Sequence, residues 1–306
     1  IIRLCDTGSN LTKHITENVN RRFRDELVSW SDIAKNLRIW DYAVTYAPHY
    51  GFPMPTVHTY PIDYRFYAEH NVEGVFTEHE YPILADLRDL KIWMMMKMLE
   101  DPYRDYPALV KTFMEGFYGA ASPHISRYLS DLESAAVKKS SYLSMGGSPS
   151  QCRYLDVKFV TDAMHTFDEA EQAVADDPVF VRRVHHARLP LDRATVVRFR
   201  DLMLEWTSAG HNPEELPLDR DAIAARYKNA WYEQVDLRIP PGARDGGRAE
   251  ADAEVAALTD RPAYVPLPEK FRDLPVDAAF DFPAYTTRNW NDEAKRVPDS
   301  EAESGF

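Results

Sequence analysis

The sequence predicts an α/β unit followed by an all-α region, and three observations predict it. Short apolar runs at residues 1–5, 37–40 and 72–76 have the length and branched or aromatic content of buried strands. The segments between them suit helices: in NRRFRDELVSWSDIAKN, Phe23, Leu27, Trp30 and Ile33 recur at helical spacing, and IDYRFYAEHN is a shorter stretch of the same kind. After Glu80 the strand signal stops. Ile83, Leu87, Leu90, Met94 and Met98 then start a helical rhythm that Leu109, Phe113, Phe117, Ile125, Leu129 and Leu132 continue.

Strands alternating with helices give parallel β-α units. Three such strands do not make a stable open sheet alone, so the expected architecture is the C-terminal part of a (β/α)8 TIM-like barrel with a helical domain, cut at both ends. Helices are expected at 156–175, 178–186 and 192–206, with a loop at 144–151. Residues 240–254, PPGARDGGRAEADAE, read as an exposed linker from their Gly, Pro and charge content. DAAFDFPAY at 277–285 reads as a strand. The expected organisation is therefore barrel strands and helices over 1–100, a helical domain over 101–235, a linker over 236–275 and the start of a β-sandwich-like module over 276–306.

Composition narrows the function classes. A formal charge of -13 argues against a broad nucleic-acid footprint, which needs surplus Lys and Arg. No apolar run approaches the ~20 residues of a membrane span; WMMMKML at 93–99 is short and carries Lys97. Cys5 and Cys152 cannot form a disulfide framework and lack metal-site spacing. EHEY at 78–81 is a fragment of a zinc motif without its second His, and His185 and His186 point apart on a helix, so neither a metal nor another cofactor is expected.

In barrels of this kind the chemistry sits at the carboxyl ends of the strands. Reading each strand to its end gives Asp6, Asp41 and Glu78. Asp6 precedes TGSN and reads as a turn or cap residue. Asp41 and Glu78 lie among Trp40, Tyr42, Tyr46, Tyr50, Phe76 and Tyr81. Rings stack on the apolar faces of sugars, and carboxylates accept from their hydroxyls. Glycosidic cleavage uses two carboxyl groups, about 5 Å apart for retention and further apart for inversion. The expected catalytic pair is Asp41 and Glu78, projecting from neighbouring strands into one mouth, with Trp40, Tyr42, Tyr46, His79 and Glu80 lining the substrate site.

The ordered series Trp30, IWDY (39–42), GVF (74–76) and FYGAA (117–121), followed by FDEAEQAV through RVHHARLPLD, resembles the glycoside-hydrolase-like domain of unknown function 4838 over roughly residues 1–205. This sequence has TEHEY after GVF, where the family more often carries a Gln- or Gly-containing turn. The resemblance implies a bacterial, secreted or surface-associated protein, hence an extracellular, periplasmic or cell-surface location. It also implies a barrel related to those of α-glucuronidases and hexosaminidases, and a C-terminal segment that opens a β-sandwich module.

The leading expectation is a fragment of a carbohydrate-active protein that cleaves glycosidic bonds in an oligosaccharide or polysaccharide. Two rivals stand beside it. One is a glycan-binding protein without turnover; the other is a helical adaptor working through the helices after Pro82.

Overall fold

Three parallel strands carry the first apolar runs: β1 (Ile2–Cys5), β2 (Leu37–Tyr42) and β3 (Val72–Glu78), hydrogen-bonded in the order β1-β2-β3. The computed structural model describes residues 1–46, 50–79, 83–146 and 148–260. Among these the sheet has three strands and is not a closed barrel. β2 and β3 run two residues further than expected, because Asp41 and Tyr42 stay in the ladder opposite Thr77 and Glu78.

Each crossover is helical. Helix α1 (Arg21–Ser31) joins β1 to β2, and α2 (Tyr60–Glu69) joins β2 to β3. Phe23 and Leu27 of α1 and Tyr60, Tyr64 and Tyr67 of α2 share one buried cluster with Leu37 and Ile39 of β2. One face of the sheet is thus the floor of the core. The other carries exposed Arg3, Cys5 and Arg38, and Phe76 is 50% exposed on it.

The remainder is helical: α3 (Arg88–Glu100), α4 (Tyr106–Tyr118), α5 (Ser122–Lys138), α6 (Val157–Ala173), α7 (Pro178–Val197), α8 (Phe199–Ser208), α9 (Arg220–Arg238) and α10 (Arg244–Thr259). Local chemistry sets several starts. Asp105, Asp156, Asp177 and Asp219 accept from first-turn N–H groups of α4, α6, α7 and α9, and proline occupies the first turn of α2, α4, α5 and α7. Gly119, in the FYGAA segment, ends α4 at φ +55°, and a Cβ there would sit 2.9 Å from the Phe180 ring. Both the positive φ and the close ring call for glycine. No helix among the described residues is long and apolar enough to cross a membrane.

Three expectations are corrected. Residues 83–87 form turns, with Leu87 at φ +43°, and α3 begins only at Arg88. The helices expected at 178–186 and 192–206 divide elsewhere: α7 runs unbroken through Pro190 to Val197, and α8 follows. Over its described residues the expected linker is not one, and residues 261–275 of it lie outside them. Residues 244–259 form α10, whose Glu254 is buried and pairs with Arg193 of α7 at 2.8 Å. Gly247 permits the close approach: a Cβ there would lie 3.1 Å from Val235 of α9. The strand expected at 277–285, and the module containing it, lie outside the described residues.

Candidate functional site

Side chains alternate across a strand, so Leu37, Ile39 and Asp41 share one face of β2 while Arg38, Trp40 and Tyr42 share the other. A bulge fixes which residues of β3 join them. Leu37 pairs with Val72 but Arg38 pairs with Gly74, leaving Glu73 as the extra residue. From there Trp40 faces Phe76, and Tyr42 faces Glu78. The extra residue therefore puts Glu78 on the open face with Trp40. Without it, Thr77 would take that place.

On the open face the contacts form one connected group. The Trp40 indole Nε1 donates to Glu78 Oε1 at 2.6 Å, and the Tyr46 hydroxyl donates to Glu78 Oε2. Trp40 meets Phe76 edge-on at 5.0 Å, Tyr42 meets Tyr46 at 6.1 Å, and Cys5 Sγ lies 3.3 Å from the Tyr42 hydroxyl. The Arg3 guanidinium sits 5.9 Å from the Trp40 ring centre. Glu78 is thus a carboxylate oriented by two neutral donors at the carboxyl end of a strand, ringed by aromatics. His79 follows, half-buried, its Nδ1 without a hydrogen-bond partner. Burial, and then the charges of Arg88 and Lys91, push it down to about 4, so it is neutral at pH 7.

Asp41 is on the other side. It points with Leu37 and Ile39 toward α2 and lines a small polar cleft of about 40 Å³ with Asp6 and Asp63. Its Oδ1 accepts from the Tyr42 backbone N–H at 2.8 Å. Burial, and then the charge of Asp6, push it up to about 7. Asp63 accepts from Ile15 N–H at 2.6 Å, and burial pushes it up to about 8. Asp6 accepts from the N–H groups of Gly8 and Ser9, the turn role expected of it, and burial raises it too.

The expected pairing of Asp41 with Glu78 in one mouth is therefore corrected: the two carboxylates occupy opposite faces of the sheet. Trp40, Tyr42, Tyr46 and Glu78 do come together. His79 adjoins them in the chain, and Glu80, with Tyr81, lies outside the described residues. Tyr50 is drawn elsewhere, its hydroxyl donating to Glu254 at 3.1 Å. His185 and His186 go to different partners, Glu233 and the Ile83 carbonyl, as their adjacency on a helix implied. Sequence reading missed Asp63 and Tyr67. The signal was Tyr60, Asp63, Tyr64 and Tyr67 at i, i+3, i+4 and i+7, one helix face carrying a carboxylate among rings.

With this geometry in place, comparison with known proteins adds one finding. Residues 1–130 match the family described as Domain of unknown function (DUF4838). The match takes in the sheet, its crossovers and the helices as far as the first half of α5. It is shorter than the span to residue 205 over which the sequence resembles the family. The DUF4838 description carries no activity. No curated protein and no solved structure matched the chain.

Proposed function

We propose that the DUF4838 part of this chain handles carbohydrate, with the sugar seated on the open face of the sheet around Glu78. The observation that carries the reading is the carboxylate held by Trp40 and Tyr46 beside exposed Phe76. Rings offer stacking surfaces to sugar C–H faces, and Glu78 is placed to accept from a hydroxyl. In this reading β1–β3 are consecutive staves of a (β/α)8-type barrel. One face is covered by crossover helices and the other turned to the barrel interior, with Glu78 at the carboxyl end where such folds place their chemistry.

Glycan binding is the activity these residues favour. Hydrolysis needs a second carboxyl group on the same side, and Asp41 does not supply it. If turnover occurs, Glu78 is the base, nucleophile or hydroxyl acceptor, and its partner comes from outside the residues described. The extracellular, periplasmic or cell-surface location goes with this proposal.

Screening the protein against immobilised glycans and chromogenic aryl glycosides tests it. Trp40→Ala is expected to weaken binding of any retained glycan by 10-fold or more, about 1.4 kcal/mol. Glu78→Gln keeps the acceptor oxygen, and so retains binding while abolishing any turnover. Glycan binding unchanged in Trp40→Ala would put the site elsewhere, and no binding to any glycan favours the adaptor.

A further inference from the structure

We infer that the glycan handled on the open face of the sheet is acidic, and that Arg3 binds its carboxylate or sulfate group. This rests on the sugar reading above and names the substrate class of that same site.

The strand register lays the open face out in rows. Arg3, Arg38 and Gly74 stand in line across β1, β2 and β3. Cys5, Trp40 and Phe76 form the next row, and Tyr42 and Glu78 the last. Successive rows are two residues apart, about 6.6 Å along a strand. A cationic row therefore borders the aromatic row on one side, and the row of Glu78 borders it on the other.

The cationic row carries more charge than the fold neutralises. Arg38 Nε donates to Glu73 Oε1 at 3.0 Å, and Glu73 Oε2 accepts from Asn36 Nδ2 at 2.7 Å. Arg3 has no carboxylate partner among the described residues. Glu78 is two rows away, about 13 Å along the strands, and Trp40 and Tyr46 hold its oxygens. Two guanidinium groups on adjacent strands repel each other. Arg3 is also exposed, so neither core packing nor a salt bridge accounts for it.

Its position suits a ligand of the proposed site. The guanidinium carbon lies 5.9 Å from the centre of the Trp40 ring, so a sugar resting on Trp40 and Phe76 comes within its reach. Gly74 leaves room in the same row, since a Cβ there would meet nothing within 4 Å. A guanidinium presents a fork of N–H donors that matches two oxygens of a carboxylate or sulfate. A neutral sugar would leave that fork uncompensated.

The test compares immobilised acidic glycans with their own neutral forms, carboxyl-reduced or desulfated according to the acid they carry. At least one acidic glycan is expected to be held about 10-fold more tightly than its neutral form. The difference should shrink at high salt, and the treatment that abolishes it identifies the acid as carboxylate or sulfate. Arg3→Gln is expected to bring the acidic glycan down to the level of its neutral form without lowering the thermal unfolding midpoint. Equal binding of the two forms, binding of neutral glycans only, or a preference that survives Arg3→Gln overturns the inference. With any of these results, the sugar reading still stands if Trp40→Ala weakens binding. Binding of no glycan removes that reading and the inference together.

Discussion

Replacing Lys91 by Ala is expected to cost about 3–5 kcal/mol of stability, because it leaves a buried carboxylate without its counter-charge. Lys91 and Asp86 are 1% and 3% exposed. Lys91 Nζ donates to Asp86 Oδ2 at 3.0 Å and to the Met54 carbonyl at 2.9 Å, while Asp86 Oδ2 also accepts from Met54 N–H at 3.0 Å. Burial pulls the Lys91 ammonium down from its usual range, and Asp86 is the main influence opposing that. The pair grips both polar groups of one residue in the connection from β2 to α2, so its loss also frees the segment that carries Thr56 toward the cleft. The double variant Lys91→Met with Asp86→Asn removes both charges and keeps an acceptor for Met54 N–H. It is expected to regain most of the loss. Urea unfolding measures both, and a Lys91→Ala loss under 1 kcal/mol would show that the pair is not buried as described.

Asp41→Asn is expected to stabilise the protein at pH 8 by roughly 2–4 kcal/mol and to leave it nearly unchanged at pH 4. The sign follows from proton counting. The folded-state value is about 7 against 3.8 for the ordinary carboxyl. Between these values the folded chain holds a proton that the unfolded chain has released. Stability from this group is therefore complete below about pH 4, falls as pH rises toward 7, and is level above it. Asn cannot ionise, and its oxygen still accepts from Tyr42 N–H. Unfolding curves from pH 4 to 8 in chelator should lose this slope in the variant. A wild type that gains stability from Asp41 over that range would contradict the burial assigned to it.

The three strands and their parallel β-α connection were legible because buried strands and amphipathic helices carry their periods openly. The faces were less so, and for two different reasons. Leu37, Ile39 and Asp41 stand two apart, so alternation alone already put Asp41 on the side of the buried aliphatics and away from Trp40. Composition around a strand end drew attention to the rings next to Asp41 rather than to its parity. The bulge at Glu73 was not legible at all, because VEG gives no signal of an unpaired residue until its partner strand is known. Gly246 and Gly247 misled in another way. Glycine and charge suggested a linker at 240–254, whereas Gly247 marks where α10 approaches Val235. The buried pair of Glu254 with Arg193 shows that the same segment closes a core. Asp63 was hidden by tyrosines, since a helix face of rings reads as plain packing.

In the proposed function a sugar meets the protein at Trp40 and Glu78, on the face of the sheet away from Asp41. The most direct measurement follows the indole N–H resonance of Trp40, assigned by its disappearance in Trp40→Phe, during titration with a glycan that the protein retains. That proton lies in the 2.6 Å bond to Glu78. A saturable shift of this resonance is expected. Saturable glycan binding that leaves the Trp40 signal unmoved would contradict it.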